Sequence, residues 1–223
     1  MRRSLGPAIL AAALCGAAAD AGPWPRAAGE GFASGTWRGT LAGGTEYSAL
    51  YLEYGLGRRW SAGLDAGRAI GGATKAVAFI SRARAADRPG PRLGWQLGVG
   101  RIDGRAVVRP GLSLGRGFGE GARTGWLAGD ALAEVGVAPG ADPRPELTID
   151  VKLDLTLGLT HPGGVKTLVQ LQTGREAGDP PFARLEARTV VPLRARTSVT
   201  LGAYHDLDRA GTGGLVFGLW QRF

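Results

Sequence analysis

Hydrophobic and polar residues alternate without a break between residues 146 and 159. An aliphatic residue occupies every second position from Leu147 to Leu159, and the residues between them are charged, threonine or glycine. Successive side chains of a β-strand point to opposite faces of the sheet, and no helical register separates two sets in this way. The pattern therefore predicts a long strand with one aliphatic face and one polar face.

The same period of two recurs along most of the chain. It is clearest in three later runs and readable in five earlier ones, at 47–54, 60–67, 93–100, 108–115, 127–135, 182–193, 197–206 and 213–223. Residues 34–42 and 74–85 show it more weakly. Clusters of Gly, Pro and Asp separate the runs, as tight turns require. Counting strands between turns gives twelve if residues 34–42 form one, and eleven if they do not.

The N-terminus has the composition of a secretory signal peptide. Residues 1–3 are basic, residues 7–19 are apolar and rich in alanine, and small residues precede cleavage sites after Ala19 or Ala21. A buried N-terminal helix is the alternative, but the apolar run is too short to span a bilayer and Pro23 soon follows it. Removal of residues 1–19 also removes Cys15, so we expect the mature chain to lack disulfides and thiolate metal sites.

Composition and charge argue against helical membrane proteins, helical bundles and nucleic-acid-binding proteins. The chain is 44% hydrophobic and contains 39 glycines, yet no apolar run after the N-terminus reaches the ~18 residues of a membrane helix. So much glycine also disfavours a helical bundle, because each helix-interior Gly costs ~1 kcal/mol relative to Ala. Loss of Arg2 and Arg3 lowers the formal net charge from +8 to +6. No concentrated basic block exists, so we expect no nucleic-acid partner.

Charges of both signs lie in the middle of the polar faces, whereas the aliphatic faces are almost free of charge. The strands are also long, at about ten residues, where soluble strands average ~5–6. A soluble β-sandwich, the alternative, explains neither feature. We therefore expect the polar faces to line a lumen, and the candidate lumen residues are Asp65, Arg109, Asp130, Glu134, Asp150, Lys152, Asp154, Arg184, Glu186 and Arg188.

On three features the chain resembles bacterial outer-membrane β-barrel proteins: the signal peptide, the long alternating strands, and the strand Gly213–Phe223, which ends on an aromatic residue. The resemblance implies an all-β fold, a transmembrane antiparallel up-and-down barrel with short turns and no plug domain. An even strand count favours twelve, with ten as the alternative. It further implies both termini in the periplasm, surrounding outer-membrane lipids, and recognition by the barrel-assembly machinery through Leu215, Phe217, Leu219 and Phe223. Residues 20–33 form a short N-terminal segment, and residues 34–223 form a single barrel domain.

No motif carries recognisable chemistry. The glycine-rich run at 115–121 suggests a phosphate loop, but an alternating strand follows it where a helix is needed. His205 and Ser198 have opposite parity, so they face opposite sides of one strand. With two histidines in the chain, we expect no metal site, cofactor or catalytic residue.

These features lead to three hypotheses of function. The first is a non-enzymatic barrel that gives small solutes passive passage through the charged lumen, where glycines leave room. The second is a closed barrel with a structural or surface-interaction role, in which the charges pair and fill the interior. A lipid-modifying enzyme resembling outer-membrane phospholipases, with a reactive His205, is the least favoured.

Overall fold

The computed structural model describes residues 23–41, 46–69, 72–84, 90–121, 123–138, 146–208 and 212–223. The predicted signal peptide lies outside these residues. The described chain contains twelve strands, which are β1 Gly31–Thr40, β2 Tyr47–Gly57, β3 Trp60–Ala69, β4 Thr74–Ala83, β5 Arg92–Ile102, β6 Arg105–Glu120, β7 Arg123–Ala138, β8 Glu146–Thr160, β9 Lys166–Arg175, β10 Phe182–Arg194, β11 Thr197–Asp206 and β12 Gly213–Arg222.

The strands form one closed barrel in which each pairs antiparallel with its neighbours in sequence. Pairing of β1 with β12 closes it, with Phe32 opposite Arg222 and Thr40 opposite Gly214. Closure confirms the predicted up-and-down barrel of twelve strands. The weakly patterned residues 34–42 and 74–85 contribute to β1 and β4. We call the end of the barrel where β1 begins and β12 ends the terminal end, and the opposite end the far end.

Burial along the strands follows the predicted alternation. In β6 it switches at nearly every residue, with buried Val107 and Arg109 facing inward and exposed Val108 and Leu112 facing outward. The outer surface is therefore rich in large aliphatic side chains, and most polar residues in the middle of the strands face the lumen. The part of the chain that the structure describes contains no helix long and apolar enough to cross a membrane.

Outward aromatic residues collect near the terminal end. The rings of Trp60 and Trp95 meet edge to face with centroids 5.3 Å apart, and the Arg82 guanidinium lies 5.1 Å from the Trp60 ring. Tyr54 and Phe118 are exposed near the same ends of β2 and β6. Such a belt is typical of the polar boundary of a bilayer, where amphipathic rings and cations gather.

Candidate functional site: the barrel lumen

The ten residues predicted for the lumen all lie on inward-facing strand positions, where their register brings together charges that are distant in sequence. Asp65 of β3, Arg109 of β6 and Glu134 of β7 meet in this way. The Arg109 Nη1 atom lies 2.5 Å from Asp65 Oδ2 and 3.8 Å from Glu134 Oε1. Lys75 and Lys152 add ammonium groups 2.8 Å from Asp65 and from Glu134 respectively. These five residues form a network along the inner wall of the barrel. Its central members, Arg109 and Glu134, are buried away from bulk water.

A second group of charges lies around Glu186 of β10. Its carboxylate accepts a hydrogen bond from Arg38 Nε of β1 at 2.8 Å and pairs with Arg188 two residues along the same strand. Glu186 is almost wholly buried, and two guanidinium groups offset its desolvation. Two further pairs involve candidate lumen residues, Arg184 with Asp206 at 2.5 Å and Arg105 with Asp150 at 3.6 Å.

Asp130 and Asp154 differ from the other candidate carboxylates. They are direct cross-strand partners on β7 and β8, so both side chains point into the lumen side by side. Within the described ranges, neither has a cationic group within ion-pair distance. Both line the central cavity. The structure thus separates eight charge-paired lumen residues from two unpaired ones, a distinction that strand parity alone does not reveal.

Aromatic rings cover several of the inward-facing glycines. Phe79 lies opposite Gly63, and Trp126 lies opposite Gly158, in adjacent strands. A Cβ at either glycine would overlap the facing ring. This arrangement, in which a ring covers a glycine on the neighbouring strand, stabilises sheets that must bend sharply. Rings therefore fill much of the room that the lumenal glycines were expected to leave.

Aromatic rings in the lumen also contact one another and a lysine ammonium group. Phe32 packs against Trp220 with ring centroids 5.7 Å apart, and Tyr51 stacks on Phe79 with ring centroids 5.5 Å apart. The Lys166 ammonium lies 5.7 Å from the centre of the Trp126 ring and 5.8 Å from that of Trp220. The lumen therefore already holds an alkylammonium group between two indole rings, a favourable contact for a cation away from bulk water.

The residues before β1 enter the lumen at the terminal end. We call Pro23–Ala28 the N-terminal strap. Trp24 packs against the cluster of Trp126 and Ala128 on β7, and a Cβ at Gly115 would overlap its ring. Pro23 lies beside Gly94 of β5 and Gly115 of β6. Both strands therefore have a residue without a side chain where the strap rests on them.

Contacts to β1 and β2 hold the other end of the strap. Arg26 Nε lies 3.1 Å from Glu53 Oε2, with both side chains buried, and the guanidinium lies 4.4 Å from the Phe32 ring centre. Gly29 N donates to the Gly55 carbonyl at 2.9 Å. The strap therefore extends from the β2 wall to the β5–β7 wall. The sequence predicts only a short N-terminal segment at residues 20–33 and no contacts of that segment with the lumen. The sequence signal for the strap is Pro23-Trp24-Pro25-Arg26, a stiff stretch with one large ring and one cation.

A cavity of about 300 Å³ lies between the strap and the ion-paired network. Trp24 forms part of one boundary, Tyr51 and Phe79 form part of the wall, and Asp130 and Asp154 contribute the unpaired carboxylates. Volumes of about 300–1,000 Å³ accommodate small ligands. The lumen is therefore narrowed but not filled.

Residues considered for catalysis are not brought together. Ser198 lies on a lumen-facing position of β11, whereas His205 is exposed on the outer face, and Asp206 pairs with Arg184. The glycine-rich run at 115–121 forms the end of β6 and its turn into β7. Across the described residues, no group of three or more His, Cys, Asp or Glu side chains is placed to hold a metal ion.

No protein-family model and no curated protein matches this chain. Several solved structures resemble it. The KdgM porin superposes with a TM-score of 0.63 at 6% identity, over 86% of this chain and 99% of the porin. The NanC porin gives 0.62 at 10% identity over 86% and 98%. An outer-membrane channel from Pseudomonas putida F1 gives 0.53 at 12% identity over 92% and 98%. At such identities the likeness concerns the fold, and the chain has the barrel architecture of outer-membrane porins and channels.

Proposed function

We propose that the mature chain is an integral outer-membrane barrel that gives small solutes passive passage. The observation that carries the proposal is the lumen, a complete wall of strands around a cavity of about 300 Å³ with charged and aromatic side chains in its lining. A barrel that served only as a scaffold would gain stability from an apolar packed interior, since buried ion pairs contribute little net stability. The structures that the chain resembles include porins and a channel, which is consistent with this proposal.

Export and insertion form part of the same proposal. Residues 1–19 act as the signal peptide, and both chain ends of the mature barrel lie in the periplasm, at the terminal end. The outward side chains of the last strand serve as the signal for the assembly machinery, namely Leu215, Phe217, Leu219 and Phe223. Their exposure on the outer face supports this role, because a recognition signal must be reachable before the barrel closes.

A closed barrel with a structural or surface-interaction role is the second candidate. The strap and the ion-paired networks favour it, since both reduce the open cross-section of the lumen. An enzymatic role has less support, because Ser198 and His205 lie on opposite faces of β11.

Planar-bilayer recording of the detergent-folded mature protein separates the two candidates. We expect discrete conductance steps at moderate voltage in KCl. Heat-modifiable migration on gels first establishes that the protein is folded. Folded protein that inserts into the bilayer yet stays silent at every voltage would refute the channel and leave the closed barrel. Phospholipid hydrolysis that is lost in His205→Ala would instead support the enzyme.

A further inference from the structure

The basic excess of the chain lies on its outside. Twelve exposed arginines of the described residues occupy turns and strand ends or point outward, and they are Arg58, Arg59, Arg68, Arg82, Arg84, Arg101, Arg116, Arg123, Arg175, Arg194, Arg196 and Arg222. They make the outside of the barrel basic, and of the twelve Arg59 and Arg82 also line the cavity. The overall pI of 10.5 therefore does not indicate which ions the lumen attracts.

The cavity is lined by charges of both signs. Five carboxylates line it, belonging to Glu53, Asp65, Asp130, Asp154 and Glu186, together with Arg59, Arg82 and Arg188. Glu53, Asp65 and Glu186 are each in an ion pair with Arg or Lys. Asp130 and Asp154 have no such partner in the described part of the chain, so they form a local patch of negative charge on the β7–β8 side of the cavity. Enclosure by protein strengthens its attraction for cations relative to open water.

The walls add a preference for an organic cation over a bare metal ion. The stacked rings of Tyr51 and Phe79 line the same cavity, and an ammonium over such rings is stabilised by their quadrupoles. Lys166 between Trp126 and Trp220 shows that this lumen accommodates an alkylammonium group in that way. A hydrated metal ion gains less from an apolar aromatic wall.

A buried polar group provides an independent sign of a ligand. Ser61 lines the cavity with 1% of its surface exposed. Its Oγ atom has no hydrogen-bond partner among the described residues. Buried hydroxyl groups are normally satisfied, so this one marks a position where an occupant of the cavity supplies a partner.

From these observations we propose that the cavity binds small organic cations, which are protonated amines or quaternary ammonium compounds. Asp130 and Asp154 supply the charge, the Tyr51–Phe79 stack holds the apolar part of the cation, and Ser61 hydrogen-bonds to a polar substituent. The proposal names the solute class of the proposed channel, and it rests on that channel only for passage across the membrane, because binding in the cavity does not require conduction.

Binding is tested with choline as the probe, by calorimetric titration of the folded mature barrel in detergent. We expect saturable binding that becomes about tenfold weaker or more in Asp130→Asn/Asp154→Asn, because a charge-assisted contact is lost. The matched control is Glu176→Gln/Asp179→Asn, which removes two exposed carboxylates from the turn after β9 and should bind choline like the wild type. Absence of choline binding to the wild type, or equal binding by the Asp130→Asn/Asp154→Asn variant, would overturn the proposal.

Two further measurements separate the parts of the proposal. Phe79→Leu should weaken choline binding while leaving the reversal potential in a KCl gradient unchanged, because the ring contributes no net charge. Asp130→Asn/Asp154→Asn should shift the reversal potential in the same gradient towards that of Cl⁻, because two negative charges are lost from the cavity. An unchanged reversal potential would refute the role of these carboxylates in the cation site. A barrel that binds choline but never conducts would retain the site and refute the channel.

Discussion

Arg109 joins acidic residues from two separate strands of the wall. Its buried guanidinium lies between Asp65 and Glu134. Arg109→Met preserves the bulk of the side chain but removes a positive charge from between two carboxylates. Lys75 and Lys152 still pair with them, which limits the loss of unfolding free energy to about 1–3 kcal/mol. Urea titration of the folded barrel measures it, and Arg68→Met, an exposed arginine on the outer face of β3, should change it by less than about 0.5 kcal/mol. Equal losses would mean that the network does not stabilise the barrel.

At the same scale, sequence could predict the direction of a side chain but not its partner. Strand parity correctly predicts that Arg109 and Asp65 share a face. Their contact depends on how β3 and β6 are placed around a closed barrel with two strands between them, and no local pattern encodes that placement. For the same reason the pairing of Glu186 with Arg38, 148 residues apart, could not be anticipated.

At the scale of elements, the strap is the feature that sequence reasoning could not find. Alternation identifies strands because it repeats, whereas Pro23–Ala28 contains a single large ring whose contacts lie on β6 and β7. Alternation also becomes unreadable near the start of β1, where Gly31, Phe32 and Ala33 precede the predicted boundary at residue 34. The strap and the start of β1 both escape prediction because the positions of their residues depend on the closed barrel.

The strap should limit the current through the lumen. Trp24→Ala removes the ring that packs against the cluster of Trp126 and Ala128, so we expect a larger single-channel conductance than in the wild type. Phe118→Ala is the matched control, because that ring lies at the same end of the barrel but on its outer face. Unchanged conductance in Trp24→Ala would indicate that the strap does not obstruct the conducting path.

Strand packing also depends on an inward glycine in β5. A Cβ at Gly100 would overlap the backbone carbonyl of Ala76 on β4, and backbone cannot move aside as a side chain can. Gly100→Ala should therefore lower the unfolding free energy by about 1–3 kcal/mol. At Gly35 on β1 a Cβ meets nothing within 4 Å, so Gly35→Ala should leave stability unchanged or slightly raised. The difference is measured from the urea midpoints of the two variants, provided that their unfolding free energies depend on urea with the same slope. A Gly100→Ala barrel as stable as the wild type would refute the close approach of Gly100 to the Ala76 carbonyl.

At the scale of the whole molecule, the outer surface should behave as one that faces lipid. Leu155, in the middle of β8, and Leu207, just beyond the end of β11, are exposed to similar extents, 46% and 55%. In water, arginine at either position would have a similar and small effect. In a bilayer, Leu155→Arg should cost about 2–4 kcal/mol and Leu207→Arg about 0–1 kcal/mol, because the penalty falls from the midplane to the interface. Urea unfolding from phospholipid vesicles measures both. The two positions are similarly exposed and differ in their depth in the membrane. Two equally small losses of unfolding free energy would therefore contradict a membrane-spanning barrel.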